Sequence, residues 1–280
     1  MSRLFVEQLT VIDCAYLDAT RGLVGESWIV DIELDGDLDA QSMVLDFGEV
    51  KKRLKRAIDG SVDHALLVPR RASGLQSRTE GEALCLRFES RQGLYEHRSP
   101  AAAVVLLDTD AVTSDALVAH LRQRLRAELP ANVRALTVAL RSERIDGAFY
   151  HYVHGLKKHA GLCQRIAHGH RSRLEVRVDG ARDAGLEADV ARRWTDIYLG
   201  TRADIVERDA ARIRFAYRSG EGDYELALPA SRCDLLDTDT TVEQIAAHLA
   251  AQLAARRPGR SVSVRAYEGV MKGAVAQDQR

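Results

Sequence analysis

The sequence predicts an α+β fold made of two related units, each an antiparallel sheet with two helices on one face. Three observations predict it: an internal repeat, the order of periodic segments inside each repeat, and a composition suited to two cores. VLLDTDAVTSDALVAHLRQRLRAELP (Val105–Pro130) returns as DLLDTDTTVEQIAAHLAAQLAARRP (Asp234–Pro258). LRFESRQGLYEHRSP (Leu86–Pro100) is answered by IRFAYRSGEGDYELALP (Ile213–Pro229), and WIVDIELDG (Trp28–Gly36) by SRLEVRVDG (Ser172–Gly180). Blocks repeated in the same order place a junction near Asp146 to Phe149, with units over residues 1–146 and 147–280, each of ordinary domain size. At 46% hydrophobic and 29% charged residues, a 280-residue chain can bury a core in each unit.

Within each unit the periods are legible. Trp28 to Leu34 and Arg173 to Val178 alternate as strands do. Helical spacing begins after Phe47, with Val50, Leu54 and Ile58, and the matching helix is expected to carry Val190, Trp194 and Tyr198. The hairpin segments Gly81–Pro100 and Ala211–Pro229 follow. A second helix per unit starts after the Thr-rich turns at Thr113 and at Thr240-Thr241, where a hydroxyl can cap exposed N–H groups. Leu117, Leu121 and Leu125 form one apolar stripe, and Ile245, Leu249 and Leu253 the other. Leu136-Val138-Leu140 and Val262-Val264-Ala266 close the units as strands, which gives the order expected of helices packed on an antiparallel sheet.

Forty Lys+Arg against 41 Asp+Glu give a formal net charge of −1, so no basic excess points to nucleic acid and no polybasic segment to a membrane surface. Four scattered cysteines without a CxxC, and an opening MSRLFVEQL without a long apolar run, predict a reduced, cytoplasmic protein. A small molecule or another copy of the chain is the expected partner.

The chemistry concentrates in YHYVHGLKKHAGLCQRIAHGHRSRLEV (Tyr150–Val176). His168 and His170, two apart at the mouth of a strand, leave one face and can converge on an ion. His154, on the preceding strand-like stretch, supplies a third imidazole if the two strands pair, and three neutral imidazoles with an open fourth position suit a catalytic zinc. The competing reading is a set of ordinary surface histidines, because a lone HxH is a weak motif. Cys163 lies between these ligands, where a cation and Lys157 or Lys158 would favour its thiolate; the bland reading, a small buried hydrophobe, suits Cys85 and Cys233 better.

His154, Cys163 and His168-Gly169-His170, together with MVLDFGEVKKRLKRAIDGSVDHALL (Met43–Leu67) in the first unit, resemble the motifs of the 6-pyruvoyltetrahydropterin synthase and 6-carboxytetrahydropterin synthase family. The resemblance covers both units and implies tandem copies of the tunnelling fold, whose sheets join into rings with active sites at interfaces. It implies Zn2+ on His154, His168 and His170, catalytic roles for Cys163, Asp63 and His64, and a pterin anchor at Glu268, with Thr240 and Thr241 contributing contacts to the same ring or serving only as caps.

The departures divide the family's set between the units. Alignment on Asp35-Gly36 and Asp179-Gly180 sets Thr10, Ala19, Val24 and Glu26 against His154, Cys163, His168 and His170, and alignment of Val50 with Val190 sets Ala203-Asp204 against Asp63-His64. The first unit thus lacks metal ligands and thiol, the second lacks the Asp-His pair, and only the two together are complete. The resemblance implies a zinc-dependent lyase acting on 7,8-dihydroneopterin triphosphate, with loss of triphosphate giving the pyruvoyl product or carbon–carbon cleavage giving the carboxy product used for 7-deazapurine (queuosine) synthesis. The Ala/Arg-rich composition favours the latter. A non-catalytic pterin-binding protein is the reading from a different class. Two units per chain imply a homo-oligomer of half the usual chain number, a trimer or a dimer of trimers.

Overall fold

The computed structural model describes residues 2–279. The first half runs β1 (Ser2–Asp18), β2 (Gly22–Gly36), α1 (Phe47–Asp59), β3 (Leu66–Pro69), β4 (Leu75–Glu80), β5 (Ala83–Ser90), β6 (Gly93–Pro100), β7 (Val104–Leu107), α2 (Ser114–Arg126) and β8 (Val133–Ser142). The second repeats this order as β9 (Phe149–His154), β10 (His168–Val178), β11 (Ala181–Arg182), α3 (Ala184–Arg193), β12 (Ile197–Thr201), β13 (Ile205–Arg208), β14 (Arg212–Ser219), β15 (Gly222–Pro229), β16 (Cys233–Leu236), α4 (Val242–Ala255) and β17 (Ser261–Tyr267), then adds β18 (Gly273–Gln279).

Each half builds its own sheet, in the order β7-β3-β1-β2-β8 and β16-β12-β9-β10-β17-β18, with β11 also paired to β10. The long hairpins β1–β2 and β9–β10 and the strands β8 and β17 are antiparallel, as the alternation predicts; β3 and β7, like β12 and β16, add parallel strands at one edge. Those strands are four or five residues long, too short for periodicity to reveal their direction. The helices lie on one face of each sheet. Val50, Leu54, Ile58, Leu117, Leu121 and Leu125 pack against Ile12, Tyr16, Val30 and Ile32, and their mates do the same in the second half. Each fully buried aliphatic side chain contributes about 1.5–3 kcal/mol. Asp46, Thr113, Asp183 and Thr241 cap the four helices through their side chains. The helix expected to carry Val190, Trp194 and Tyr198 ends at Arg193: it buries Leu186 and Val190, Trp194 is its buried C-cap residue, and Tyr198 lies on β12. Asp196, with φ of 52°, breaks the helical path, and the β-branched and aromatic run that follows pairs with β9.

The hairpin segments have a structural role that their sequence does not disclose. β4, β5 and β6 from the first half and β13, β14 and β15 from the second form one six-stranded sheet, joined at the β6–β15 pairing of Leu226 with His97. Its inner face, with Leu86, Phe88, Tyr95, Phe215 and Tyr224, buries the back of both main sheets at Ala15, Leu17, Val153 and Tyr198. The halves therefore share a core, and β1 and β9 are buried on two faces.

The hairpins β1–β2 and β9–β10 cross at two glycines. A methyl group on Gly25 would lie 2.0 Å from the Tyr152 carbonyl oxygen and 2.7 Å from the His170 nitrogen, and one on Gly169 would lie 2.6 Å from the Gly25 Cα. No helix among the described residues is long and apolar enough to cross a membrane. Gly25→Ala is expected to force the hairpins apart and to destabilise the chain by about 3 kcal/mol, read by urea unfolding, because the obstructing atoms are backbone and cannot change rotamer.

Candidate metal centre and active site

Three imidazoles converge where β9 meets β10. His154 and His168 are directly paired across the two strands, and His170 follows two residues on, so the alternation of β10 puts both of its histidines on one face. All three are buried, and a nitrogen from each lies within 4.8 Å of the others. Two of the outer nitrogens donate to backbone carbonyls, Nδ1 of His154 to Thr240 at 2.9 Å and Nδ1 of His168 to Arg165 at 2.9 Å, while Nδ1 of His170 lies 3.1 Å from Asp13 Oδ1 without a hydrogen-bond partner among the described residues. The carbonyl partners assign the protons of His154 and His168 to Nδ1 and leave their Nε2 lone pairs facing inward.

That arrangement fits a divalent cation. Nε2 of His154 and Nε2 of His170 are 3.2 Å apart, and the buried Nε2 of His168 has no hydrogen-bond partner among the described residues. Burial, reinforced by the neighbouring imidazoles, pushes the pKa values of His154 and His168 well below the ordinary range, so both rings are neutral ligands. Three nitrogen donors leave a fourth position open for an oxygen ligand, as catalytic sites require.

A second group overlaps the first at His168. A ring nitrogen of His64, the Cys163 sulfur and a nitrogen of His168 lie within 4.8 Å of one another, and the His64 and His168 rings are 5.1 Å apart between centroids. His64 comes from the first half and Cys163 from the loop between β9 and β10, so one chain brings together the residues its halves hold separately. His64 takes a left-handed backbone conformation, φ of 54°, and its N–H donates to the Asp13 carbonyl at 2.7 Å. Asp63 Oδ2 holds His64 Nδ1 at 2.8 Å, while its Oδ1 accepts the Asp13 N–H at 2.8 Å. Burial alone favours the neutral His64 ring, but its hydrogen bonds to Asp63 and Cys163 outweigh that and raise its pKa to about 10.

The remaining predicted residues border this cluster. Glu268, at the turn between β17 and β18, is partly exposed, with Oε2 4.0 Å from Lys272 Nζ. Thr240 is buried against His154, and the Thr241 hydroxyl caps α4 by accepting from the Gln244 N–H at 3.5 Å, so both threonines have protein partners. Lys157 is paired with Asp204 and Lys158 with Asp239, away from the role of thiol activator. Sequence reasoning passes over Asp13 and Lys272, whose Nζ lies 3.3 Å from Asp13 Oδ2. A signal for Asp13 exists, because a lone carboxylate in the apolar strand Val11-Ile12-Asp13-Cys14-Ala15 must have a partner.

Strand register corrects two of the pairings between the halves. His168 faces His154 as Val24 faces Tyr16, so the mate of His154 is Tyr16 and not Thr10. Leu66 pairs with Ala15 as Tyr198 pairs with Val153, which makes Asp196 the mate of His64 in place of Ala203-Asp204; both have left-handed φ. Connection length is the reason in both cases: β1 turns into β2 at once whereas β9 and β10 are separated by the loop bearing Cys163, and residues 194–196 join α3 to β12 where residues 60–65 join α1 to β3. At this second position Arg21 supplies a cation from the chain itself. Its guanidinium grips the buried Asp196 through two bonds of 2.6 and 3.0 Å and donates to Tyr16 Oη at 2.9 Å. Burial raises the nearby Glu26 carboxyl, the mate of His170, to a pKa of about 7.

One equivalent of divalent metal per chain is expected by elemental analysis, because the second position has no imidazole triad. His168→Ala or His170→Ala should lose most of it, since two remaining protein ligands are too few for a stable tetrahedral site.

The sequence model of the 6-pyruvoyl tetrahydropterin synthase family matches the chain twice, over residues 15–151 and 145–279. Among solved structures, the chain is similar to a 6-pyruvoyltetrahydropterin synthase from Plasmodium vivax, at 20% identity and a TM-score of 0.42 over 51% of this chain and 91% of that one. It is likewise similar to the Plasmodium falciparum 6-pyruvoyl tetrahydropterin synthase, at 18% identity and a TM-score of 0.41 over 51% and 91%. No curated protein sequence matches. With two matches that together span nearly its whole length, the chain belongs to the 6-pyruvoyl tetrahydropterin synthase family, as a tandem duplication.

Proposed function

We propose that this chain is a zinc-dependent lyase acting on 7,8-dihydroneopterin triphosphate, of the 6-carboxytetrahydropterin synthase type, with one active site assembled from units 1–146 and 147–280. The observation that carries the reading is the meeting of the His154, His168 and His170 triad with Cys163 and the Asp63–His64 pair inside one chain. The three imidazoles would hold Zn2+, and when bound the ion supplies Lewis-acid polarisation of substrate side-chain oxygens. Cys163 as thiolate removes a proton from the substrate side chain. His64, protonated and kept in one orientation by Asp63, gives a proton to the substrate as bonds break and recovers one from Cys163. Glu268, partly exposed beside the cluster, accepts hydrogen bonds from the amidine edge of the pterin, a planar two-donor face suited to a carboxylate. Thr240 meets the site through its contact with His154, and Thr241 follows it as the cap of α4. Between the two family reactions, the carboxy reading is taken because the Ala/Arg-rich composition looks bacterial, where that pathway is the usual context.

Incubation of the metal-loaded protein with dihydroneopterin triphosphate, followed by mass spectrometry, should yield the carboxy product and a two-carbon aldehyde. The pyruvoyl product would assign the other reaction, and unchanged substrate would leave a pterin-binding protein. His64→Ala and Cys163→Ala should each lower turnover by roughly 10²–10⁴-fold, and the double variant little further, because residues acting as a unit are non-additive.

We also propose a homo-oligomer, a trimer or a dimer of trimers, located in the cytoplasm. The edge strands β7 and β8 of one sheet and β16 and β18 of the other are each paired on one side only, and such edges invite pairing with another copy. Light scattering should give about three or six times the 31.0 kDa chain mass; a monomer at working concentration would contradict the assembly.

A further inference from the structure

Asp13 touches several parts of the composite site and is assigned to none of it. It lies on β1 of the first half, and its carboxylate is 96% buried. Oδ1 is 3.1 Å from Nδ1 of His170 in the second half and accepts from Ser27 Oγ at 2.5 Å. Oδ2 is 3.3 Å from Lys272 Nζ, which neighbours Glu268. Its backbone N–H donates to Asp63 Oδ1, and its carbonyl accepts from the His64 N–H. A single residue thus connects one imidazole of the triad, both members of the Asp–His pair and the lysine beside the acidic anchor.

We propose that Asp13 is a positioning residue for the metal centre, acting across the junction of the two halves. Its carboxylate fixes the proton of His170 on Nδ1 and leaves Nε2 free to ligate, while its backbone sets the distance between His64 and that ligand. The inference rests on the reading of His154, His168 and His170 as metal ligands. A carboxylate behind a ligating imidazole fixes the ring and raises its basicity.

The second copy of the same position supports a directional role over generic interface packing. By strand register the mate of Asp13 is His151, and the mate of His170 is Glu26. His151 Nδ1 does lie opposite Glu26, at 3.9 Å, but bonds more closely to the Gly25 carbonyl at 2.7 Å. In both copies the side chain at this place reaches across to the same position on the opposing hairpin. Only where the opposing residue is an imidazole facing two others is the reaching group a carboxylate.

The test is Asp13→Asn, which keeps the shape and the Ser27 contact but removes the charge. Zinc affinity is measured by chelator competition, and the visible spectrum of the cobalt-substituted protein reports ligand geometry. Affinity should fall about 10–100-fold and the cobalt bands should shift, with thermal unfolding of the metal-free protein little changed. Unchanged affinity and spectrum in a folded variant overturn the inference alone, whereas a wild type that binds neither ion overturns it together with the metal-centre reading. If Asp13→Asn does not fold, the proton on His170 is read by nitrogen–proton correlation in histidine-labelled, zinc-loaded wild type. Placement on Nδ1 supports the proposal and placement on Nε2 overturns it.

Discussion

Where the two halves cross, backbone lies against backbone: Gly25 on β2 meets Tyr152 and His170 of the other half, and Gly169 meets the Gly25 Cα. The two glycines are equivalent positions in the two units, one between Val24 and Glu26, the other between His168 and His170. With no Cβ on either, the hairpins cross near van der Waals contact, and each carries its neighbours into the partner unit. Ser27 donates to Asp13 and accepts from the Arg171 N–H at this crossing. Without it His64 would have no route to Cys163, because the two belong to units that otherwise meet through the six-stranded sheet.

The crossing creates two related positions, and their electrostatics have diverged. One gathers three imidazoles that converge on one point, next to Asp13, Asp63 and Cys163. The other replaces them with Tyr16, Val24 and Glu26 and fills the space with the Arg21 guanidinium, bound to Asp196. A buried carboxylate needs a cation or a proton. At the second position Asp196 receives the guanidinium, and Glu26 is held with a pKa raised to about 7. A site that is satisfied internally has no donors left for a metal ion, so duplication yields one open centre and one closed clasp between the halves.

The hairpin sheet explains how a polar junction of this kind is tolerated. Its apolar inner face covers the back of β1 and β9, so the strands that bear Asp13 and His154 are fixed by hydrophobic contacts on the side away from the helices. Position is supplied by apolar packing, and chemistry by the polar groups the packing orients.

The sequence by itself determined the duplication, the four helices with the Thr caps of two of them, the long strands, and the residue types of the candidate site, because each depends on spacing within a few residues or on similarity between distant segments. His154 opposite His168 was legible as a possibility and needed only strand pairing. Three things were decided by tertiary structure alone. The direction of β3, β7, β12 and β16 depends on which neighbour they join. The matching of Tyr16 to His154 and of Asp196 to His64 depends on register, which a longer loop shifts without any local sign. The place of Asp13 behind His170 depends on a crossing of two hairpins, since a side chain's surroundings across a junction are set by three-dimensional packing and leave no period in the chain.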